Sequence, residues 1–286
     1  RPIKLGIPGE DEWSGVVDGL EFLREFNLGN LPTPKGKLVI IGGGNTAVDC
    51  ARVARRLGYE SVAILYRRTR EEMPANHWEV DDTIEEEIDI QYLTFPVRML
   101  GESGRVSRVE CVRMKLGEPD ESGRRRPIRI EGSEFMVQAD TVVTALGQVP
   151  DFSWLPRPLE TTISKKGFLL ADAETGSTGV AGVFSGGDAV SGPRTVVEAI
   201  AFGKVAAKSI DRYLRGEDVH AGRGPHWKGI GYSPQVTERR EREIMPRLSL
   251  LERKNTFDEV DLGFKVQQAR CEAERCFKLC GIQRER

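Results

Sequence analysis

The sequence predicts an α/β fold of about two domains, and three observations predict it. An apolar strand runs into a glycine turn and a helix at "LVIIGGGNTAVDCARVARRLG", residues 38 to 58. A second apolar strand, "SVAILYRR", follows at the spacing of a βαβ unit. Far downstream, "TVVEAIAFGKVAAKSIDRYLRG" carries a long helical pattern that stops at Gly216. A length of 286 residues suits two domains of roughly 100–200 residues each.

Taken in order, Val16, Leu20, Leu23 and Phe26 recur at helical spacing and predict an amphipathic helix over 15–27. "LGNLPTPKG" is a turn-rich connector. Lys37 to Ile41 reads as a buried strand, Ala47 to Leu57 as a helix, and "SVAILYRR" as the next strand. "EEEIDI" reads as a solvated helix end before a strand. "DIQYLTFPVRMLG", "RVSRVECVRMKL" and "EFMVQADTVVTALG" alternate like antiparallel strands, with "GEPDESGRRRP" as a hairpin excursion between two of them. "KGFLLADAETGSTGVAGVFSGGDA" predicts two more strands. Residues 217–286 are polar and read as an extension rather than a self-standing domain.

Composition narrows the classes of function. Charged residues make up 30% and hydrophobic ones 39%, with a net charge of −2. That balance gives no field favouring nucleic acid or an anionic membrane. No apolar run approaches the ~20 residues of a membrane span. The opening "RPIKLGIPGE" has no Met and no signal-peptide pattern, and five cysteines do not form a secreted disulfide framework, so a cytoplasmic location is expected. His77, His220 and His226 have no metal spacing, and neither a P-loop nor G-x-S-x-G is present.

The glycine turn carries the first chemistry. Gly42-x-Gly44-x-x-Ala47 fits the fingerprint of a Rossmann-like dinucleotide domain with Ala in the third small position. Gly42 allows the turn, Gly44 lets the backbone approach a pyrophosphate, and Ala47 lets helix and strand pack closely. Gly43, Asn45 and Thr46 complete the candidate site, where free N–H groups at the helix N-terminus favour an anion. An NAD site places Asp or Glu at the end of the second strand. Here Arg67 and Arg68 stand there, with Arg70 just beyond. Guanidinium groups grip a 2′-phosphate in bidentate fashion, so NADP(H) is expected over NAD(H).

Four motifs in order, "GGGNTAVDCAR", "YRRTREEMPA", "TALGQVPD" and "VFSGGDAVSGPRTVVEAIAFGKVAA", resemble the flavoproteins of the glutamate synthase small-chain type. The resemblance extends to "LGIPGEDEWSGVVDGLEFL" and covers nearly the whole chain. It implies a pyridine nucleotide-disulfide oxidoreductase-type protein in which an NADP(H) domain is inserted into an FAD domain and the two exchange a hydride. By that resemblance Asp188, after Gly187, accepts a hydrogen bond from the FAD ribityl chain. The helix starting near Thr195 and Val196 points its N-terminus at the flavin, and Gly147 turns the chain from the NADP(H) domain to the FAD domain. The implied organisation is a linker and helix at 1–33, an NADP(H)-binding domain at 34–149, the C-terminal part of an FAD-binding domain at 150–216 and an extension at 217–286. The family's FAD domain opens with its own glycine fingerprint, and none lies among the 41 residues before Gly42. The expected chain is therefore a Rossmann-like NADP-binding domain plus the C-terminal part of a second, FAD-binding Rossmann-like domain, without the half that binds the ADP end of FAD.

"ARCEAERCFKLCG" places Cys271, Cys276 and Cys280 close together. Iron–sulfur clusters usually take four thiolates, so these three suggest part of a cluster site or, at helical spacing, a thiol pair or ordinary packing. Cys50 and Cys111 read as core thiols. Nicotinamide–flavin hydride transfer needs positioning more than acid–base chemistry, so no catalytic acid or base is assigned. Two functions stay open. One is a module that passes hydride from NADPH to FAD and electrons onward to a partner subunit or ferredoxin-like iron–sulfur protein. The other is a nucleotide-binding scaffold subunit without its own flavin.

Overall fold

The computed structural model describes residues 1–31, 36–120, 123–156, 162–223, 227–229, 241–277 and 282–284. They fall into two units. The larger comprises Pro2–Gly147 and Leu248–Val260; the smaller comprises Arg1, Gln148–Arg247 and Asp261–Arg286.

The larger unit is built on a five-stranded parallel sheet. Its strands are β1 (Val16–Asp18), β2 (Lys37–Ile41), β3 (Ser61–Leu65), β4 (Asp89–Gln91) and β9 (Thr141–Thr144), in the order β1-β9-β2-β3-β4. Helices α1 (Gly19–Asn27) and α2 (Asn45–Leu57) cover one face. There Phe22, Ile40, Ala47, Ala51, Ile64 and Val143 interlock in one apolar cluster. Antiparallel strands cover the other face: β5 (Thr94–Glu102), β6 (Arg105–Pro119) and β8 (Phe135–Gln138), with β7 (Arg125–Arg129) beyond β6. Val39, Ile41 and Val142 meet Met99, Val109 and Cys111 between these layers. Because β-strand side chains alternate, odd positions of β2 serve one cluster and even positions the other. A third cluster packs Val48 with Tyr66, Met73, Ala75 and Val80, where α3 (His77–Glu85) begins.

Several sequence expectations are corrected here. The helix expected over 15–27 begins only at Gly19, because Val16 and Val17 pair with Val142 and Val143 as a parallel strand. Asp18 ends that strand and caps α1, accepting from Leu20 N at 3.0 Å. "DIQYLTFPVRMLG" is two strands, β4 parallel to β3 and β5 antiparallel to β6. "EFMVQADTVVTALG" is also divided, into β8 beside β6 and β9 in the centre of the parallel sheet. Alternation alone does not reveal which sheet a strand joins, and Asp140 marks the change of sheet. The hairpin at "GEPDESGRRRP" is present between β6 and β7, with residues 121 and 122 outside the described set.

"EEEIDI" is a helix end before a strand, with Glu85, Glu87 and Asp89 exposed as expected, but Glu86 departs from that reading. Glu86 is fully buried, and Arg52 and Arg56 of α2 both bind its carboxylate at 2.8–3.2 Å. Part of the supposed extension reaches this same place. Ser249 caps a short helix, α6 (Leu250–Arg253), and Arg253 is buried against Asp82, Glu85 and Glu86. Lys254 pairs with Glu87 at 2.8 Å, Arg56 Nε donates to Thr256 O at 3.1 Å, and the Phe257 and Phe26 rings lie 4.8 Å apart. Residues 248–260 thus form a strap on α1, α2 and α3.

In the smaller unit, α5 (Val196–Leu214) is the dominant element, and Gly216 lies just past it with φ +70°. It follows α4 (Asp188–Ser191). The two strands expected over 166–189 are reduced to isolated bridges, Ile163 with Leu169 and Ser177 with Phe184. Trp227–Gly229 (β10) pairs with Ile282–Arg284 (β11), and α7 spans Val266–Phe277.

Candidate functional site

The glycine turn is held between two neighbouring strands. Gly42 N donates to Leu65 O at 3.2 Å, and Ala145 N donates to Ile41 O at 2.8 Å. A Cβ on Gly42 would lie 2.3 Å from Ala145 O, and its φ is +152°, so both packing and backbone demand glycine. A Cβ on Gly43 would lie 2.4 Å from the Tyr66 ring. Gly44 differs. The nearest protein atom to its missing Cβ is on Pro74, at 3.9 Å. Nothing among the described residues forbids a side chain there, so the space in front of Gly44 is a cradle that a side chain would fill.

Gly44 is also the N-cap of α2, with no side-chain cap and no acid in the first turn. Ala47 N turns back to Gly44 O at 3.0 Å, and the Thr46 N–H that a Ser or Asp cap could satisfy is left for another acceptor. Helix α2 has thirteen residues, so the partial positive charge at this end is fully developed. Asn45 and Thr46 form the first turn, and Ala47 is fully buried against the sheet. Asn45 Oδ1 accepts from Asn76 N at 2.9 Å, and Ala75 N donates to Gly43 O at 3.2 Å. The segment after β3 therefore wraps back onto the glycine turn. Tyr66 Oη donates to Glu72 O at 2.6 Å, and a capping box joins Thr69 and Glu72. The residues of these ties, Tyr66, Thr69, Glu72 and Ala75, all lie in the motif "YRRTREEMPA", but their contacts with one another and with the glycine turn are visible only in the fold.

The two arginines at the end of β3 have different surroundings. Arg67 is exposed, and no ion pair or side-chain hydrogen bond engages it among the described residues. Partial desolvation, then the neighbouring Arg68 and Arg124, push its guanidinium below the ordinary value. A cation in that state gains most from an anion. Arg68 is buried: its Nη2 donates to Asp120 Oδ2 at 2.7 Å and its Nε to Arg125 O at 2.7 Å. Arg70 pairs with Asp81.

In the smaller unit, Gly187 has φ +61° and leads into α4, whose first residue is Asp188. Asp188 Oδ1 accepts from Arg194 N at 3.2 Å. Thr195 caps α5 through a box with Glu198, which places a carboxylate at that N-terminus. Val196 and Val197 stand three-quarters exposed just behind it. Gly147, with φ +101°, closes the larger unit and accepts from Ile3 N at 3.0 Å.

Cys50 and Cys111 are fully buried, and burial pushes both thiols up to about 12. They are core groups, as expected. Cys271 is half-buried and free on α7. Cys276 lies on the same helix, but its side chain, like the whole of Cys280, lies outside the described residues. Among the described residues no group of three His, Cys, Asp or Glu side chains is placed to hold a metal, and no helix is long and apolar enough to cross a membrane.

A parallel sheet whose β2–α2–β3 crossover opens on a glycine turn is the fold of a dinucleotide-binding protein. Residues 1–203 match the pyridine nucleotide-disulphide oxidoreductase family, and the chain belongs to it. The chain is 43% identical to the β subunit of an NADP(+)-dependent formate dehydrogenase from Moorella thermoacetica, over 96% of this chain and 40% of that protein. It is 41% identical to the glutamate synthase (NADPH) small chain of Azospirillum brasilense, over 68% of this chain and 40% of that protein. The resemblance drawn from the motifs is thereby shown. The chain spans about two fifths of the length of both relatives. Among solved structures, Mycobacterium tuberculosis FprA in complex with NADPH matches with a TM-score of 0.60 at 18% identity, over 75% of this chain and 62% of that one, a likeness of fold alone.

Proposed function

We propose that this chain is a cytoplasmic NADPH-dependent oxidoreductase module that passes hydride from NADPH to FAD, with electrons moving on to iron–sulfur centres of a partner subunit. The observation that carries the reading is the uncapped start of α2 behind an open Gly44, in a chain of this family. Backbone N–H groups of Asn45 and Thr46 would hold the pyrophosphate, and the turn at Gly44 would admit it closely. Arg67 takes the 2′-phosphate. Gly187, Asp188 and the start of α5 at Thr195 are the residues that would address the flavin end of FAD. FAD, when bound, supplies the acceptor that takes two electrons and a proton as hydride and releases the electrons singly. The chain's own part is to hold the two carriers in place and exclude water, which needs no acid or base. The relationship to a formate dehydrogenase β subunit supports a partner that takes the electrons.

One observation favours a second reading, a nucleotide-binding subunit without its own flavin. Glu198 occupies the cap of α5 and brings negative charge to the end expected to face a reduced flavin. One experiment decides between them. NADPH is titrated into wild type and Gly44→Val, and the wild type is then mixed anaerobically with NADPH and excess FAD. Binding by the wild type, its loss in a folded Gly44→Val, and bleaching of the flavin band support the module. Binding without bleaching supports the subunit, and equal binding by both proteins defeats the site itself.

A further inference from the structure

Two consecutive backbone N–H groups return from the segment after β3 to the glycine turn. Ala75 N donates to Gly43 O at 3.2 Å, and Asn76 N donates to Asn45 Oδ1 at 2.9 Å. Asn76 is the N-cap of α3, with φ −59° and ψ 128°, so its N–H has no acceptor within that helix. Its side chain is engaged separately, with Nδ2 donating to Glu79 Oε2 at 2.8 Å. Pro74, in the same segment, supplies the nearest described atom to the missing Cβ of Gly44, at 3.9 Å. The Asn45 amide therefore sits on the rim of the cradle, between the start of α2 and the segment that walls it.

A primary amide has an acceptor end and a donor end. The partner at Asn76 is an N–H, so the bonded atom of Asn45 is its oxygen, and the other end of the amide is the NH2 group. Asn45 is exposed, and among the described residues no acceptor meets that Nδ2. An asparagine left untied at a helix start does the reverse: its oxygen accepts from nearby backbone N–H groups and competes for them. Lone pairs turned toward an anion would also repel it. With its oxygen occupied by Asn76, the Asn45 side chain has only donors left to offer.

We propose that Asn76 is a positioning residue for the pyrophosphate site: its backbone N–H takes the acceptor oxygen of Asn45, so that the amide meets the anion with its donor end and leaves the N–H groups of α2 uncontested. The proposal rests on the reading that the glycine turn holds NADP(H). It deepens that reading by giving a part to the cap of α3, which lies outside the glycine fingerprint.

The test is titration of the full chain with NADPH and with 2′-AMP, which carries the 2′-phosphate without a pyrophosphate. Asn76→Pro removes the backbone N–H at a φ that proline adopts, whereas Asn76→Ala removes the side chain and keeps the N–H. The Kd for NADPH is expected to be about threefold or more higher in Asn76→Pro than in Asn76→Ala, and that for 2′-AMP to agree within about 1.5-fold. In an Asn45→Ala background the gap in NADPH affinity should close, because both changes remove one bond. Equal NADPH affinity in the two Asn76 variants, or a gap that persists without the Asn45 amide, refutes the positioning role. A matching loss of 2′-AMP would show a general distortion and also overturns it. If Gly44→Val binds NADPH as tightly as wild type, the underlying site fails instead. Should Asn76→Pro not fold, two measurements on folded protein decide. The Asn76 amide should exchange its hydrogen more slowly in wild type than in Asn45→Ala, and the Asn45 NH2 resonances should move when NADPH saturates the wild type. Equal exchange, or resonances that stay in place, overturns the proposal.

Discussion

The two units use apolar residues in opposite ways. Among the described residues, every buried apolar side chain except Leu155 belongs to the larger unit. The smaller unit buries Thr162, Thr175 and Ser209 and leaves Val196, Val197, Ile200 and Leu214 of α5 more than half exposed. Both units carry clear helical patterns in the sequence. The difference is what lies opposite the apolar face. Helix α2 presents Ala47, Ala51 and Ala54 to a parallel sheet, whereas α5 presents Val196, Val197 and Ile200 to solvent. Amphipathic patterning states that a face seeks cover; it does not supply the cover. Burial, at about 25 cal/mol per Å² of apolar surface, is what turns such a face into stability.

The comparison can be broken at its strongest point by Glu86→Ala. The change leaves Arg52, Arg56 and Arg253 without their shared buried carboxylate. A loss of about 3–5 kcal/mol is expected, because uncompensated buried charge is costly. Urea unfolding measures it, and limited proteolysis should show residues 248–260 released. A loss under about 1 kcal/mol would mean that the arginines find water or other acceptors. Next in size is Ile40→Ala, at the centre of the cluster between sheet and helices, with about 2–5 kcal/mol expected from lost burial and the cavity left behind.

Acid gives a smaller and more specific effect. Burial pushes the Glu86 carboxyl up, but hydrogen bonds and charge from Arg52 and Arg56 outweigh it and hold the group below the ordinary carboxylate value. A carboxyl depressed in the folded state contributes stability above its unfolded pKa of about 4.3 and loses it as pH falls through the folded value. Wild-type stability should therefore drop below about pH 4, and the drop should be shallower in Glu86→Gln. The smallest expected change is Val197→Ser on the exposed face of α5, within about 0.5 kcal/mol by the same urea assay. A loss comparable to that of Ile40→Ala would show that α5 is covered in solution and would erase the contrast between the units.

Local chemistry was legible from residues alone. The glycine turn, the strand before it and helix α2 follow from patterns a few residues long, because small side chains, apolar runs and helix ends act over that range. So do α5 and its end near Gly216, and the core placement of Cys50 and Cys111. The membership of the family was equally legible, since its motifs are local and ordered. Which sheet a strand joins was not. β8 and β9 are separated by two residues, and only their partners, β6 and β2, distinguish an antiparallel outer strand from the parallel centre. Nor was the fate of charge. Glu86 reads as a solvated residue in a charged run and Arg68 as a phosphate ligand beside Arg67, yet each is buried by partners far along the chain: Arg253 for one, Asp120 and Arg125 for the other. A charged group's cost or benefit depends on distance and desolvation, and only the tertiary structure brings those partners within 4 Å. The sequence alone thus determined the glycine turn and the helix behind it. The folded chain decided which of two adjacent arginines, Arg67 or Arg68, is left exposed and which is buried.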